Sequence, residues 1–308
     1  MPTPFVPGAG SLTSPRYTAG DHDMDGQRIN HLCQPTLFDQ IGLMYLRIMV
    51  PSRQQPPEVV RLAAHPVRWR LMIELAMSDY RVRELAQLIQ QPQNLVSYHL
   101  RRLREEGLVD AGRSSFDGRD SYYRLNLDRY GHALAAAGAA VHPAVRLEMT
   151  GPGTLPDQSP PVAVLFTCTG NSARSPIAEA LLRRQTAGRV DVASAGSHPK
   201  PRLHPIAVQV LREEYDIDIG RQSPRSLDTL TGRRFDHVIT LCDKVREICP
   251  EFPHHPRRAH WSIPDPVTTD RAGNPGYQAF RDTAAEINAR VLHLLPILAH
   301  PTHLEVRP

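Results

Sequence analysis

Apolar residues between Pro57 and Leu127 recur first at helical and then at alternating spacing. The predicted elements are helices from Val59 and from Pro66, helices over 82–89 and 93–106, and strands over 108–113 and 121–127. A short turn, Gln90–Pro92, separates the last two helices, and Gly107 ends the second. The strands flank Asp117–Gly118, a dipeptide typical of hairpins. This is the element order of a winged helix-turn-helix domain.

Beyond Pro161, apolar strands alternate with helices. The predicted strands are 162–168, 190–193, 235–241 and 260–263, and the predicted helices are 176–185, 205–215 and 277–298. Strands that alternate with helices predict a parallel sheet covered on both faces. The fold class expected for the chain is therefore α/β, with an N-terminal winged helix-turn-helix (α+β) domain linked to a C-terminal doubly wound parallel-sheet domain.

Composition sets the domain boundaries. Residues 1–50 begin with Pro, Gly and Ser/Thr and are expected to be a disordered extension, followed by the winged domain over 51–130. Residues 131–160 are rich first in Ala and Gly and then in Pro and Gly, which indicates a linker. The second domain is expected over 161–300, with a tail over 301–308.

Charge and cysteine content narrow the class of protein. Of 36 basic residues only Lys200 and Lys244 are lysines, which suits phosphate or oxyanion contacts, although a codon bias towards arginine explains it equally well. The sequence has no run of 18 apolar residues and no N-terminal signal pattern, so a cytoplasmic protein without a membrane partner is expected. In a reducing compartment, four cysteines favour redox or metal chemistry over structural disulfides.

The second helix of a helix-turn-helix enters the major groove of DNA. The candidate base-reading residues are Gln93, Asn94, Ser97, Tyr98 and His99. Gln and Asn pair with adenine through two hydrogen bonds. Arg101 and Arg102 follow where phosphate contacts fall, and Arg119 at the hairpin tip reaches a flanking groove or phosphate. The alternative is that these residues form the solvated face of a small helical domain.

Four segments, 62–68, 82–86, 96–103 and 107–109, resemble the ArsR family of winged-helix repressors. The resemblance implies a homodimer formed through the winged-helix domain, which binds palindromic operator DNA with its wing in contact with the duplex. One departure matters. Arsenic sensors of that family carry a Cys-x-Cys pair where this chain has residues 76–82 without cysteine, and Cys33 is alone far upstream. Metal sensing is therefore not inferred.

Residues 164–175 run from a strand into a helix and form a candidate catalytic loop. Backbone N–H groups and a helix N-terminus converge there into an anion cradle. Cys168 opens the loop, and Arg174 is spaced to clamp two oxygens of a tetrahedral oxyanion. These positive surroundings are expected to lower the pKa of the nucleophile Cys168, with Ser175 hydrogen bonding its sulfur. The oxyanion-binding residues are expected to be Thr169, Gly170, Asn171, Ser172, Ala173 and Arg174. The alternative is a buried structural cysteine.

The loop resembles that of the low-molecular-weight protein tyrosine phosphatase family, so the second domain is expected to be phosphatase-like. That family uses the aspartate of an Asp-Pro dipeptide as general acid, and Asp265–Pro266 fits this role. Val267 follows where a tyrosine often lines a tyrosine-phosphate pocket, which favours an inorganic substrate.

Two further cysteines, Cys242 and Cys249, follow the third predicted strand of this domain. In a parallel sheet, Cys168 and Cys242 emerge at the same carboxyl edge. Residues seven apart on an intact helix are ~10 Å apart along its axis, whereas a disulfide needs Cα atoms within ~7 Å. A Cys242–Cys249 bond would therefore require residues 243–248 to unwind or loop. The pair indicates a movable thiol relay, a zinc half-site or two unrelated thiols.

The patterns over 240–250 and 260–266 resemble thioredoxin-coupled arsenate reductases built on the phosphatase fold. The resemblance implies that Cys168 attacks arsenate, that Cys242 attacks Cys168 and releases arsenite, and that Cys249 then attacks Cys242. External thioredoxin or a similar thiol would reduce the resulting disulfide, and no tightly bound cofactor or metal is expected. Some relatives hold potassium beside the loop. Asn171, Glu179 and Ser194 match that site, but Arg225 falls where a carboxylate is expected.

The favoured hypothesis is an arsenate reductase fused to a DNA-binding regulator. One alternative is a regulator that senses oxyanion or redox state through its cysteines without turnover, and another is a protein tyrosine phosphatase.

Overall fold

The structure is a computed structural model that describes residues 55–145, 162–249, 252, 256–267 and 276–299. The described residues from Pro56 onwards belong to one compact unit. The predicted disordered extension, the end of the predicted linker and the tail lie outside the described residues.

The N-terminal part is a winged helix-turn-helix. Its elements are α1 (Glu58–Ala63), α2 (Pro66–Met77), β1 (Tyr80–Arg81), α3 (Val82–Ile89), α4 (Gln93–Glu105), β2 (Val109–Arg113), β3 (Ser121–Leu125) and α5 (Leu127–Val141). The strands form an antiparallel sheet in the order β1-β3-β2. Pro66 starts α2 at a position where no N–H is needed, and the Nδ1 of His65 caps that helix. Gly107, at φ 67°, lets the chain leave α4 and enter β2.

Two of these elements differ from the sequence prediction. Strand β1 was missed because two residues are too few to show alternation. Helix α5 extends into residues 131–141, which had been predicted as linker. Its alanines favour a helix and Asn126 caps its first turn, and Leu127, Tyr130, Leu134 and Ala137 face the core at helical spacing, a pattern that the alanine- and glycine-rich composition obscured.

The C-terminal part is a doubly wound α/β domain, as predicted. Its elements are β4 (Ala163–Cys168), α6 (Arg174–Gln185), β5 (Asp191–Gly196), α7 (Pro205–Tyr215), a 3-10 turn (Leu227–Leu230), β6 (His237–Thr240), α8 (Asp243–Ile248), β7 (Arg257–His260) and α9 (Tyr277–Ala299). The four strands are parallel in the order β5-β4-β6-β7. Val164 and Phe166 face one buried core and Leu165 the other, so both faces of β4 are covered.

The last strand lies at 257–260 rather than at the predicted 260–263. Its sequence, Arg-Arg-Ala-His, has no apolar run because β7 is at the edge of the sheet, where Arg258 is exposed and His260 is the buried member. The error leaves the site unchanged, since the carboxyl ends of β4 and β6 are where they were expected.

Candidate active site and DNA interface

Cys168 is the last residue of the central strand β4, and its side chain is buried. Its sulfur lies 3.0 Å from the hydroxyl oxygen of Ser175, in the first turn of α6. The loop between them connects strand to helix without regular structure. Backbone N–H groups at such a junction bind anions. The predicted nucleophile, its hydroxyl partner and the oxyanion-binding loop are thus brought together.

Asn171 shapes this loop. It takes the left-handed conformation at φ 45°, which asparagine tolerates better than most residues. Its Nδ2 donates to the hydroxyls of Ser175 and Ser194, both at 2.9 Å, and its Oδ1 accepts from the backbone N–H of Arg225 at 2.7 Å. The Asn171 side chain therefore holds the loop in place before any oxyanion binds.

Gly196 was not singled out from the sequence. A Cβ there would lie 2.6 Å from the carbonyl oxygen of Thr169, so a larger residue would displace the loop. The available signal was a glycine at the end of a predicted strand, which often marks a close backbone approach.

Arg174 and Asp265 form an ion pair beside the loop. The Arg174 guanidinium donates 3.0 Å to the carbonyl oxygen of Ile263 and 2.8 Å to Oδ2 of Asp265. The Arg174 side chain is buried, whereas that of Asp265 is 34% exposed. The predicted oxyanion clamp and the predicted general acid are thus adjacent, as binding an oxyanion and protonating its leaving oxygen would require.

Cys242 follows β6 at the same sheet edge. Its sulfur lies 3.3 Å from the Thr169 hydroxyl, beside the Cys168 loop, and the side chain is buried. Burial raises the pKa of the Cys242 thiol, and the positive charge of Arg174 and the Thr169 hydroxyl oppose that rise in part. At neutral pH Cys242 is therefore mainly a thiol, and it needs deprotonation before it can attack.

Cys249 lies at the other end of α8 and is partly buried. Burial also raises the pKa of the Cys249 thiol, opposed by Arg258 and Thr167. Cys168, Cys242 and Cys249 are all free thiols. The segment between Cys242 and Cys249 is helical, which is the geometry that forbids a disulfide between them without unwinding.

The residues considered for a potassium site form a salt-bridge cluster instead. Glu179 is buried, and its carboxylate accepts from Arg225 at 2.7 Å and from Arg183 at 2.6 Å. The guanidinium of Arg225 thus supplies positive charge at Glu179, while its backbone N–H bonds to Asn171. Over the described ranges, no group of three His, Cys, Asp or Glu side chains is arranged to hold a metal ion.

On the recognition helix α4, four candidate DNA-reading residues are exposed: Gln93, Asn94, Ser97 and Tyr98. Arg101 and Arg119 are also exposed, and Arg102 donates 2.9 Å to Glu105. His99 is a correction to the prediction. It is buried, and its ring lies 4.4 Å from that of His65, because position 99 continues the apolar stripe Val96, Leu100, Leu103. It faces the core rather than DNA.

No helix among the described residues is long and apolar enough to cross a membrane. The parallel sheet, with a cysteine at the end of β4 and an arginine at the start of α6, defines an α/β domain that follows a winged helix-turn-helix domain. Residues 163–304 match the family model of low molecular weight phosphotyrosine protein phosphatases, and residues 65–111 match that of bacterial regulatory proteins of the arsR family. Through residues 163–304, the chain belongs to the low molecular weight phosphotyrosine protein phosphatase family.

Its curated relatives include arsenate reductases. That of Halalkalibacterium halodurans is 33% identical over 128 residues, 42% of this chain and 91% of the relative. That of Oceanobacillus iheyensis is 34% identical over 128 residues, again 42% of this chain and 91% of the relative. Among solved structures, an arsenate reductase from Archaeoglobus fulgidus is 29% identical and covers 43% of this chain and 98% of its own, with a TM-score of 0.36.

Proposed function

We propose that this protein is an arsenate reductase that works by a three-cysteine relay and is fused to a DNA-binding transcription regulator. The observation that carries the proposal is the placement of the thiols. The sulfur of Cys242 lies beside the Cys168 loop, 3.3 Å from the Thr169 hydroxyl, and Cys249 lies at the far end of a short helix. The relatives named arsenate reductase support the choice of substrate.

In the first step, arsenate binds to the N–H groups of residues 169–173 and to Arg174. The Cys168 thiolate forms a bond to arsenic while one As–O bond breaks, and Asp265 gives the departing oxygen its proton, so that it leaves as water. The 2.8 Å hydrogen bond from Arg174 to Asp265 supports this role.

In the second step, the Cys242 thiolate attacks the sulfur of Cys168. An S–S bond forms, the S–As bond breaks, and its electron pair stays on arsenic, which becomes arsenite. In the third step, Cys249 attacks Cys242 and Cys168 leaves as thiolate. In total, one arsenate dianion, two protons and two thiols give arsenous acid, one water and one Cys242–Cys249 disulfide.

The oxidised relay needs an external dithiol, and we assign thioredoxin or a similar thiol protein to this role. Oxidation joins Cys249 to Cys242 in a disulfide. Because Cys249 is already partly exposed, a thiolate of the reductant can attack this disulfide. A dithiol reductant of this kind fits a cytoplasmic setting.

The winged domain, proposed as residues 51–130, binds a palindromic operator as a homodimer. Its exposed α4 residues Gln93, Asn94 and Ser97 read bases, while Arg101 and Arg119 contact phosphates. The catalytic domain is proposed as residues 161–300.

The decisive test is NADPH consumption by the purified chain with arsenate, thioredoxin and thioredoxin reductase. Steady turnover is expected from the wild-type protein, and Cys249→Ser is expected to stop after one round. Cys33→Ser is the matched control and should turn over normally. Rapid hydrolysis of a phenyl phosphate without arsenate-dependent NADPH consumption would identify a phosphatase instead.

A further inference from the structure

The relay helix α8 is attached to the winged domain at its first residue, Asp243. The carboxylate oxygen Oδ2 of Asp243 accepts from the Ser114 hydroxyl at 2.9 Å, the Ser115 N–H at 2.7 Å and the Ser115 hydroxyl at 3.1 Å. Both serines lie where β2 runs into the wing loop. The residue next to Cys242 therefore holds the base of the wing through three hydrogen bonds.

The other carboxylate oxygen of Asp243 is held within the catalytic domain. It accepts from His260 at 3.1 Å and from the Ser262 hydroxyl at 2.8 Å. Burial alone would raise the pKa of Asp243, but its hydrogen bonds from His260, Ser262 and Ser115 outweigh this and lower the pKa. The carboxylate thus stays charged, and its contacts with the wing are charge-assisted.

Arg246, one turn further along α8, makes a second attachment. Its guanidinium lies 3.2 Å from Glu84, in the first turn of α3, and donates 3.3 Å to the carbonyl oxygen of Asp79. It also lies 5.2 Å from the ring centre of Tyr122 in β3. α8 therefore contacts the base of the wing, the helix-turn-helix and strand β3.

These attachments depend on an intact α8, and the Cys242–Cys249 disulfide does not permit one. Across the helix the two Cα atoms are ~10 Å apart along the axis, and a disulfide requires less than ~7 Å. Asp243 is covalently next to Cys242, so closing the disulfide moves its backbone. Asp243 and Arg246 then lose their positions opposite Ser114, Ser115 and Glu84.

We propose that formation of the Cys242–Cys249 disulfide releases the wing, so that the winged helix reports the redox state of the relay cysteines. The proposal rests on the proposed function only for the source of the disulfide, because arsenate turnover is what would generate it. In the reduced form the α4 residues Gln93, Asn94 and Ser97 and the wing residue Arg119 are exposed while the wing is held. Reduced protein is thus the form that binds DNA, and oxidation weakens binding because the wing must then be ordered.

The rest of the domain contact does not involve α8. Arg290 of α9 binds Asp79 through two hydrogen bonds of 2.9 Å, and the Asp79 N–H donates a 2.8 Å hydrogen bond to the backbone carbonyl oxygen of His260. This second contact keeps the domains joined while the wing is free. The release is therefore local to the wing and to the start of α3.

The test uses the full chain with Cys33→Ser and Cys168→Ser, so that Cys242 and Cys249 are its only thiols. Diamide accepts two electrons and two protons from the pair, and a mass loss of two hydrogens confirms the disulfide. Amide hydrogen exchange of the wing, which includes the Ser115 N–H, is then compared between the two forms. Exchange about ten-fold or more faster in the oxidised form is expected, as for a segment that loses its hydrogen-bond acceptors. The Asp79 N–H should change far less.

Two variants of this background sharpen the comparison. With Cys249→Ser added, diamide should leave wing exchange unchanged. With Ser114→Ala and Ser115→Ala added, two of the three hydrogen bonds to Asp243 are lost, so wing exchange in the reduced form should be faster and the disulfide should form more readily, because linkage is reciprocal. A duplex selected from a random-sequence pool by the reduced chain should bind the oxidised chain about ten-fold more weakly, the effect of ordering one or two further groups.

Each outcome decides a different claim. Equal wing exchange and equal DNA affinity in the mass-verified disulfide form would overturn the proposal, as would a failure of diamide to form the disulfide at all. If the wing is released by diamide but arsenate drives no NADPH consumption in the wild-type chain, the redox coupling stands and the proposed reductase function fails.

Discussion

The guanidinium of Arg290 donates a 2.9 Å hydrogen bond to each carboxylate oxygen of Asp79. Asp79 precedes β1 in the winged domain, and Arg290 is on the last helix of the catalytic domain. Both side chains are largely buried, and the Ser262 N–H donates a further 2.8 Å bond to Asp79. Both carboxylate oxygens of Asp79 are thus hydrogen bonded by the catalytic domain, from α9 and from the segment that follows β7.

Arg290→Gln should lower the free energy of unfolding by about 3–5 kcal/mol, because it leaves the Asp79 carboxylate buried without its counter-charge. Urea denaturation measures this. Arg281→Gln is the matched control: Arg281 is 53% exposed and 3.4 Å from Glu214, and its loss should cost under ~1 kcal/mol. Asp79→Asn combined with Arg290→Gln should cost less than the sum of the single changes. Strict additivity would show that the pair is not coupled.

How much of the fold and of the candidate site can be predicted from the sequence depends on how far apart in the chain the residues of each feature lie. The Cys168 loop was predicted residue by residue, because strand, loop, Arg174 and helix are contiguous. His99 was misassigned because a histidine in an apolar helical stripe looks like a polar surface residue. The buried side of α4 becomes evident only when the ring of His65 packs against it.

The domain contact carried no sequence signal at all. Ser114 and Asp243 are 129 residues apart, and a serine near a hairpin and an aspartate after a cysteine are each explained locally. Similarly, the bond between Asp79 and Arg290 spans 211 residues. Residues 76–82 lack the cysteines of the arsenic sensors, and the catalytic domain contacts that segment at Ser78 and Asp79. Such polar pairs depend on how the two domains pack against each other. The hydrophobic periodicity within either domain does not predict that packing.

His237 should make stability depend on pH. Burial, and then the nearby charge of Arg257, lower the pKa of His237 to about 4, while Asp236 opposes the shift. The folded protein therefore binds this proton less readily than the unfolded chain, whose histidine titrates near ~6.5. Stability is unaffected above pH ~6.5 and falls as the pH drops towards 4, by about 3 kcal/mol in all. The free energy of unfolding, measured in urea at pH 7.5, 5.5 and 4.5, should fall less steeply with decreasing pH in His237→Gln than in the wild type. The exposed His198→Gln should follow the wild type. Parallel curves for His237→Gln would contradict the assignment.

Asp265→Asn should slow the arsenate step by about 100-fold or more, the effect of losing a positioned proton donor. The amide keeps an oxygen that accepts from Arg174 Nη2, so the clamp remains and the proton alone is removed. Quenched single-turnover assays for arsenite measure the step. The exposed Asp216→Asn, at a left-handed position that suits asparagine, is the control and should be unaffected. A rate within a factor of about three of wild type would exclude proton donation by Asp265.

Arg225→Ser should create a dependence on potassium that the wild-type chain lacks. The change removes the guanidinium 2.7 Å from the buried Glu179 carboxylate and opens space for a cation beside that carboxylate. We expect the Tm of the variant to fall in choline chloride and to recover in potassium chloride, while the wild type has equal Tm in both salts. Arg233→Ser is the matched control, since Arg233 pairs with the exposed Asp191 away from this cluster. A wild-type protein stabilised by potassium would contradict this account.

Formation of the Cys168–Cys242 bond should accelerate with pH through the neutral range. Burial raises the pKa of Cys242 despite the opposing charge of Arg174, so the attacking thiolate is scarce at pH 7 and increases about ten-fold per pH unit. In Cys249→Ser the relay halts at this bond, so alkylation and mass analysis after rapid quenching give its rate. Thr169→Val removes the hydroxyl 3.3 Å from the sulfur, which helps to lower the pKa, and should move the profile to higher pH. A rate that levels off below the ordinary thiol pKa of ~8.5 would mean that Cys242 is activated by something other than these neighbours.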